Sequence, residues 1–351
     1  MEPEVTEARV VPTGADAIER LLGPLDVARA ALYRVAAPWL SGLYADRERR
    51  VFWLGAFSVF TSFMFVALVP LWLLALGPIV FGVAHLLSDV RYLVVRRELH
   101  RRWEFWLSVP PLVAVGLGAP PVVGLTAIFP AALTSRASLV GRVLVLLVGG
   151  ASCVVAVAWP LPFNVALVHL HNVVAVVLWL LLRRSGPALR RPSAFDTSLV
   201  ALIALVAAFI LAGGADSIVT MAGGWEARAT GSSFDDFVAG AAPGVRGPLA
   251  LRLVLSFAFM QSVHYGVWLR LVPDDLRARA APRPFAASWR SLRADLGLWP
   301  LVAFTLLALG VAAWGTVDLF AARMGYLRLA AFHGFLELGA LAFLTVDRPA
   351  R

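Results

Sequence analysis

The chain has 351 residues, of which 60% are hydrophobic and only 15% are charged. Soluble domains are nearer about 45–50% apolar and about 25% charged, so this composition excludes an ordinary soluble protein. The formal net charge of +9 would indicate nucleic-acid binding in a soluble protein. Here the arginines flank apolar runs, so we expect contacts with membrane lipids and no nucleic-acid partner.

Residues 1–50 are predicted as a polar leader that is cytoplasmic or interfacial. They lack the basic segment and short apolar core of a cleavable signal peptide. Between residues 15 and 33 the apolar side chains recur at helical spacing, which predicts a helix lying along the membrane surface. The single cysteine, Cys153, lies in an apolar run and is expected to serve packing.

Residues 51–345 are predicted as the transmembrane domain, since a helix needs about 20 apolar residues to cross the hydrocarbon core. Ten runs qualify approximately, namely 51–69, 71–95, 104–118, 120–133, 139–158, 163–182, 197–213, 249–271, 298–318 and 325–345. Paired prolines interrupt the third and fourth runs, which therefore form two spans, one bent helix or a re-entrant pair. The predicted fold is an all-α, polytopic transmembrane helical bundle of about eight to ten spans.

Clusters of arginine predict the orientation of the bundle. With ten spans, every cluster falls on one side of the membrane, and the positive-inside rule makes that side the cytoplasm. Both termini are then cytoplasmic, and so are the basic loop 272–297 and the tail 346–351. The loop 214–247 is less basic and is predicted to be extracytoplasmic. We expect a multi-pass protein of a bacterial-type inner (plasma) membrane.

Five of the six histidines lie within predicted spans: His85 on the second, His169 and His171 on the sixth, His264 on the eighth and His333 on the tenth. All four spans run in the same direction. Apart from His169, these histidines lie 10–14 residues before a charged residue at the cytoplasmic end. At about 1.5 Å per residue this spread is about 6 Å, so the imidazoles are expected at nearly one depth.

Neutral imidazole is a common ligand for zinc, copper and iron, so the sequence predicts one buried metal site. Its predicted ligands are His85, His171, His264 and His333. Asp89 and Glu337 each follow one of these histidines by four residues, which places each pair on one helix face. They are the candidate catalytic residues, either as direct ligands or as partners that fix an imidazole tautomer.

Four more polar residues are candidates for an alternate or supporting role in the site: His169, Asn172, Gln261 and Tyr265. His169 and His171 are separated by about 200° on a helix, so one of them faces the site, and depth favours His171. A single intramembrane histidine often serves only helix packing, and Asp89 has Arg91 nearby as a possible ion-pair partner. The occurrence of several such residues at one depth favours a shared functional site.

Two histidine motifs are similar to those of a known enzyme family. The motif Gly82-x-x-His85-x-x-x-Asp89 resembles the Gly-x-x-His-Gly-x-x-Asp signature of bacterial Brp/Blh-type membrane carotene dioxygenases, with Leu86 in place of the family's second glycine. The stretch Phe257-x-x-x-Gln261-x-x-His264-Tyr265 is loosely similar to a later aromatic-rich histidine helix of that family, but it lacks the second histidine four residues on.

This resemblance covers short motifs rather than the whole chain. It implies non-haem Fe(II) held by four histidines, with β-carotene cleaved by O2 to retinal. The ligands it implies are His85, His171, His264 and His333. Because of the two departures from the family pattern, the predicted substrate is broader, namely an apolar carotenoid- or lipid-like molecule.

The residues leave two other functions open. Histidines at matching depth on two helices are also typical of a membrane cytochrome with non-covalent haem b. A proton-coupled transporter is the third possibility, with His85, Asp89, His333 and Glu337 as the relay. The sequence shows no internal inverted repeat of the kind that many transporters have.

Overall fold

The computed structural model describes residues 17–135, 137–184, 193–222, 230–277 and 281–346. The elements in these residues are helices, and the predicted all-α class is confirmed. The start of the predicted leader, residues 1–16, and the tail from 347 lie outside the described residues. So do residues 223–229 of the predicted loop 214–247 and residues 278–280 of the predicted loop 272–297.

The first half of the chain contains α1 Ala17–Ala45, α2 Arg47–Leu68, α3 Pro70–Asp89, α4 Trp103–Trp106, α5 Val109–Gly116, α6 Pro121–Leu125, α7 Leu139–Ala158 and α8 Pro160–Arg184. The second half contains α9 Ala194–Leu211, α10 Asp216–Ala222, α11 Phe234–Ala241, α12 Pro248–Gly266, α13 Val272–Asp275, α14 Phe285–Leu296, α15 Leu298–Val317, α16 Leu319–Leu329 and α17 Phe332–Val346. Two π-helical segments continue α3 and α12, and a 3-10 helix continues α6: Val90–Val95, Val267–Leu271 and Thr126–Leu133.

Polar caps fix where several of these helices begin. The Asp46 carboxylate accepts the Glu48 backbone N–H at 2.8 Å at the start of α2. The Ser138 hydroxyl accepts the Gly141 N–H at 3.0 Å at the start of α7. Ser193 begins α9 with a reciprocal capping box. Each cap satisfies a backbone donor that has no partner within the helix.

Seven helical segments of the described chain are long and apolar enough to cross a membrane. They are Arg47–Leu68, Pro70–Val95, Leu139–Ala158, Pro160–Arg183, Ala194–Leu211, Leu298–Val317 and Leu319–Val346. The predicted span 249–271 is also helical throughout, from α12 into its π-helical continuation. It carries Arg252, Gln261 and His264, so it is less apolar than these seven. The predicted multi-pass transmembrane bundle is confirmed.

The predicted third and fourth spans, 104–118 and 120–133, are not continuous membrane-crossing helices. Residues 103–133 form short segments, of which Val109–Gly116 has eight residues and a length of about 12 Å. Paired prolines begin both α5 and α6, and a proline lacks the backbone N–H that would join these pieces into longer helices. The short helices α5 and α6 pack against each other and against α17, and whether they form a bent helix or a re-entrant pair in the membrane stays a prediction.

The helix α12 lies at the centre of the bundle and packs against α2, α3, α8, α9 and α11. Its buried residues cover most of its circumference, from Val254 to Tyr265. The last helix, α17, packs against α8 and against the 3-10 helix after α6. Since α3, α8, α12 and α17 all surround the same interior, polar side chains on their inner faces are brought together.

The two amphipathic helices outside this core, α1 and α14, pair with each other. The Asp26 carboxylate accepts the backbone N–H groups of Phe285 at 2.7 Å and Ala286 at 3.1 Å, so it caps α14 from a distant part of the chain. Arg290 forms an ion pair with Glu19 at 2.8 Å. This pairing gives the predicted leader helix a defined neighbour in the chain.

Five charged side chains form a buried ion-pair cluster at one end of the bundle: Arg50, Arg183, Asp196, Asp274 and Asp275. Arg50 donates to both carboxylate oxygens of Asp274 at 2.9 and 2.8 Å. Arg183 forms ion pairs with Asp275 at 3.2 Å and with Asp196. These contacts join the ends of α2, α8, α9 and α13 and align the helices at that level.

Candidate metal centre

Four imidazoles from four different helices meet inside the bundle. The ring centroids of His85 and His333 are 4.9 Å apart, and those of His85 and His264 are 5.3 Å apart. The His171 ring lies 5.2 Å from both His264 and His333. Ligand atoms of His85, His264 and His333 all lie within 4.8 Å of one another. We call these four residues the histidine cluster.

Backbone carbonyls orient two of the four rings. The Nδ1 atoms of His171 and His333 lie 3.0 and 2.6 Å from the carbonyl oxygens of Val168 and Ala330. A carbonyl oxygen only accepts, so each Nδ1 carries the proton and each Nε2 keeps its lone pair. The Ala330 carbonyl lies in the break between α16 and α17 and also accepts the backbone N–H of His333, at 3.0 Å.

The other two rings are almost completely buried, since His85 and His264 are each 1% exposed. Neither ring nitrogen of His264 has a hydrogen-bond partner among the described residues, whereas His85 lies against the backbone carbonyls of Phe81 and Gly82. Buried polar atoms are nearly always paired, and a group left unpaired costs about 1–3 kcal/mol. Buried ring nitrogens that face one another are typical of a site that binds a metal ion.

Two buried carboxyl groups lie next to the histidine cluster. Asp89 Oδ2 is 4.0 Å from His85 Nε2, and Glu337 Oε1 is 3.6 Å from His264 Nε2. Both carboxyl groups are 0% exposed. Among the described residues, both oxygens of Asp89 and Oε2 of Glu337 have no hydrogen-bond partner. The two acids therefore lie where they can contact a bound ion or hold an imidazole in place.

The possible pairing of Asp89 with Arg91 is not formed. Arg91 instead donates to Asp295 of α14 at 2.6 Å. Glu337 has a partner that the sequence reasoning missed, since Trp268 Nε1 donates to Glu337 Oε1 at 2.6 Å. Trp268 follows His264 by four residues, the same spacing that singled out Asp89 and Glu337, and that spacing was the available signal.

Local helix geometry sets the positions of these side chains. The π-helical segment of α3 begins directly after Asp89, and the one of α12 begins three residues after His264. Such segments are rare and are frequent at functional sites. The Ser88 hydroxyl donates to the Trp268 carbonyl at 2.7 Å, which ties the two segments together. The carboxyl of Asp89 and the indole of Trp268 are thereby fixed relative to each other.

Gly82 has a packing role in the first histidine motif. A Cβ atom at this position would lie 2.4 Å from Cζ of the Tyr326 ring, closer than real Cβ contacts. Only glycine therefore lets α16 approach α3 closely enough for Tyr326 to reach the wall of the cavity beside the histidines. A second tyrosine, Tyr265 of α12, lies 4.8 Å from the His85 ring, measured between ring centroids.

The remaining predicted residues fall into two groups. His169 lies outside the histidine cluster, because its Nε2 donates to the Ala241 carbonyl at 2.9 Å and its ring contacts Phe257. Asn172 and Gln261 line the same cavity as the cluster, together with Tyr265. Asn172 is 0% exposed and donates to the Val168 carbonyl at 3.1 Å, the carbonyl that also orients His171.

A cavity of about 610 Å³ leads away from the histidine cluster. All four histidines contribute to its lining, and the rest is mostly apolar side chains from α5, α8, α11, α12 and α16. Cavities of about 300–1,000 Å³ are typical of sites for small molecules. The arrangement thus combines a set of metal-binding side chains with space for an apolar ligand.

Arg323 and Tyr326 are polar residues of the cavity wall that the sequence reasoning missed, besides Asn164, Asp236 and Arg328. Arg323 and Tyr326 both belong to α16. Arg323 precedes the predicted tenth span, 325–345, and Tyr326 lies at its start. The sequence offered no signal for Arg323, because an arginine just before an apolar run is ordinarily a topology signal.

Comparison of the chain with family models, with curated proteins and with solved structures finds no match. The resemblance to membrane carotene dioxygenases therefore stays a prediction based on short motifs. What the chain itself establishes is a multi-pass helical membrane protein with a buried group of histidines that can hold a metal ion.

Proposed function

We propose that the chain is an integral membrane metalloenzyme that oxidises an apolar carotenoid- or lipid-like substrate with O2 at a non-haem iron(II) site. The observation that carries this proposal is the meeting of four imidazoles from α3, α8, α12 and α17 at one buried point beside a cavity. Scattered packing histidines do not converge from four helices. The choice of iron follows the family resemblance, since neutral imidazole also suits zinc, copper and nickel.

The residues fit a divalent metal ion. Unpaired ring nitrogens of His85 and His264 would gain a partner on binding it. His171 and His333 would bind through Nε2, because their Nδ1 atoms already face backbone carbonyls. This pattern, in which one ring nitrogen is fixed by a hydrogen bond and the other is available, is typical of metal-binding histidines.

The activation of O2 is the chemistry that iron(II) would supply when bound. The apolar walls of the cavity exclude water and orient an apolar chain toward the histidines. Asp89 and Glu337 can hold or move a proton at Oδ2 and Oε1, the atoms that face His85 and His264. Trp268 fixes the Glu337 carboxyl by donating to Oε1.

The haem b alternative fits this arrangement less well. Two axial histidines lie on opposite faces of a porphyrin, so a third ligand atom close to both would occupy the plane of the macrocycle. Here the ligand atoms of His85, His264 and His333 are mutually within 4.8 Å. The rings of these three histidines contact one another edge to face, with centroids 4.9–6.0 Å apart.

The transporter alternative requires access to the cluster from both membrane faces. The cavity reaches the histidines from the side of α11 and α16. At the other end of the same helices, the ion-pair cluster is tightly packed around Asp274 and Asp275. The convergence of metal-binding imidazoles from four helices, rather than access, favours an enzyme over a transporter.

The protein is further proposed to reside in a bacterial-type inner membrane with both termini in the cytoplasm. The arginines of the ion-pair cluster, Arg50 and Arg183, lie at the same end of the bundle as Arg91 and Arg96. By the positive-inside rule this end is cytoplasmic. Fusion of a reporter that is active only in the cytoplasm to either terminus tests this orientation.

Metal content is the test of the proposed function. Purified protein loaded anaerobically with Fe(II) and desalted should retain about one iron per chain and show no Soret band. His85→Ala and His264→Ala should each lose most of the metal. His169→Ala is the matched control, because His169 is a nearby membrane histidine outside the cluster.

Two outcomes would contradict the proposal. A wild-type protein that retains no divalent metal would remove the metal site. A protein that binds iron but gives no O2-dependent product from carotenoid or unsaturated lipid substrates would remove the oxidative activity.

A further inference from the structure

Arg323 is a buried cation in the wall of the cavity that holds the histidine cluster. It belongs to α16, is 6% exposed and lines the cavity together with the four histidines. Within the described part of the chain, no acidic side chain forms an ion pair with it. A buried guanidinium without an anion is costly, because burial removes its hydration.

One hydrogen bond of Arg323 has a structural explanation. Pro78 lies inside α3 and has no backbone N–H, so the carbonyl of Leu74, four residues earlier, lacks its usual helical partner. Arg323 Nε donates to this carbonyl at 2.8 Å. A neutral donor such as glutamine can make the same bond, so the bond alone does not explain a charged residue.

The other contacts of Arg323 are also with neutral groups. Nη1 lies 3.2 Å from Met324 Sδ, a weak acceptor. The guanidinium carbon lies 4.6 Å from the centroid of the Phe237 ring. These contacts orient the planar guanidinium and leave its charge without a counter-ion. A carboxylate in the cavity would supply that counter-ion and would accept two parallel hydrogen bonds.

We propose that Arg323 binds the carboxylate end of an amphiphilic substrate whose apolar chain extends through the cavity to the histidine cluster. Arg323 on α16 and His333 on α17 line the same cavity from two helices that are separated by a break at Ala330 and Ala331. The apolar lining between them suits a hydrocarbon chain. The assignment of this ligand as the substrate rests on the proposed function, whereas its binding does not.

The test compares a fluorescent polyene fatty acid, parinaric acid, with its methyl ester, which has the same chain and no charge. Full-length protein in nanodiscs of zwitterionic lipid should bind the acid about tenfold or more tightly than the ester at neutral pH. Arg323→Gln should abolish this preference by weakening binding of the acid and leaving the ester unchanged. Arg323→Lys should retain part of it, because it keeps the charge without the bidentate geometry.

Two controls separate charge recognition from structure. Arg323→Gln keeps a donor for the Leu74 carbonyl, so its thermal unfolding should stay close to that of the wild type. Arg246→Gln removes an exposed arginine outside the cavity lining and should leave the preference for the acid intact. Equal binding of acid and ester by the wild type, or a preference that survives in Arg323→Gln, would overturn the proposal.

Two further measurements test whether the bound anion is a lipid headgroup and whether its binding depends on a metal ion. The preference should persist in nanodiscs that contain an anionic phospholipid, and competition by that lipid would instead assign Arg323 to a lipid headgroup. The preference should also persist in metal-free protein and in His85→Ala. An acid preference in a protein that binds no metal would uphold this binding site while the proposed enzymatic function fails.

Discussion

The ion-pair cluster and the histidine cluster are both buried, polar and built from several helices, yet they differ in how their atoms are satisfied. In the ion-pair cluster, Arg50 and Arg183 each face a carboxylate at hydrogen-bonding or ion-pairing distance. His85 and His264 of the histidine cluster, and Asp89 beside them, keep side-chain atoms without hydrogen-bond partners in the described chain. The nitrogens of Arg183 also lack aligned hydrogen bonds, but they face two carboxylates of opposite charge. A cluster whose charges balance one another serves structure, whereas a cluster without that balance serves a ligand.

The pKa of Asp274 shows how the opposite charges of the ion-pair cluster stabilise a buried carboxylate. Burial alone raises the pKa of the Asp274 carboxyl, but hydrogen bonds from Arg50 and the charges of Arg277 and Arg50 outweigh it and hold that pKa below its ordinary value. A carboxyl whose pKa is lowered by folding stabilises the protein above its unfolded pKa of about 3.9. That stabilisation is lost as the pH falls through the lower, folded value.

The largest effect is expected from breaking the satisfied cluster. Arg50→Met should lower the free energy of unfolding by about 2–3 kcal/mol, because it removes two charge-assisted hydrogen bonds from buried Asp274, which keeps its ion pairs with Arg270 and Arg277. Arg49→Met is the control, since Arg49 is exposed and its ion pair with Asp46 should contribute about 1 kcal/mol or less. Unfolding of both variants in mixed micelles gives the comparison, and equal effects would show that burial is not the deciding factor.

The second effect tests the packing that supports the histidine cluster. Gly82→Ala should lower the free energy of unfolding by about 1–3 kcal/mol, because its Cβ would meet the Tyr326 ring at 2.4 Å. Gly150→Ala is the matched control in a membrane helix, since a Cβ there meets nothing within 4 Å. Rescue of Gly82→Ala by Tyr326→Ala would assign the strain to this ring, and failure of rescue would contradict it.

The third effect concerns metal affinity rather than folding. Trp268→Phe removes the N–H that donates to Glu337 Oε1, and it should weaken metal binding by about 10-fold to 100-fold. Trp179→Phe removes a similar buried indole bond, to Asp275 in the ion-pair cluster, and should leave metal affinity unchanged. Competition with a metal-buffered chelator measures both, and a parallel loss in Trp179→Phe would indicate a general folding defect.

The smallest change in the free energy of unfolding is expected for a variant of the histidine cluster, in contrast to Arg50→Met. In metal-free protein, His264→Leu should leave the free energy of unfolding unchanged or slightly raised, because it removes two buried nitrogens that have no partner. The same variant should lose the stabilisation that added metal gives the wild type. A loss of about 3 kcal/mol or more in the metal-free variant would mean that the cluster is satisfied without a ligand.

Much of the fold was predictable because long apolar runs permit few structures in a membrane. The limits of α7 coincide with the predicted 139–158, and those of α15 differ from 298–318 by one residue. The region 104–133 was harder, since its prolines allow several arrangements that depend on contacts with α17. The direction and depth of the histidine-bearing spans were sufficient to place His85, His171, His264 and His333 together.

The sequence alone did not predict which residues far apart in the chain contact each other. The role of Gly82 depends on Tyr326, and the position of Arg323 depends on a carbonyl freed by Pro78. Each of these contacts joins α3 to α16 across most of the chain, and no periodicity within one helix specifies it. The spacing of Trp268 from His264 marks it as a candidate, but its partner Glu337 lies 69 residues away and is not specified by that spacing.

The contact between α1 and α14 can form only after α14 has been synthesised. Asp26 caps a helix whose first residues lie 259 and 260 positions later. At a translation rate of about 5–20 residues per second, the leader helix waits about 10–50 s before its partner exists. Leu21, Leu25 and Leu32 stay exposed even after α1 docks onto α14, so the lipid interface is the apolar surface available to them before and after docking. Docking of α1 onto α14 therefore follows synthesis of all the helices from α2 to α13.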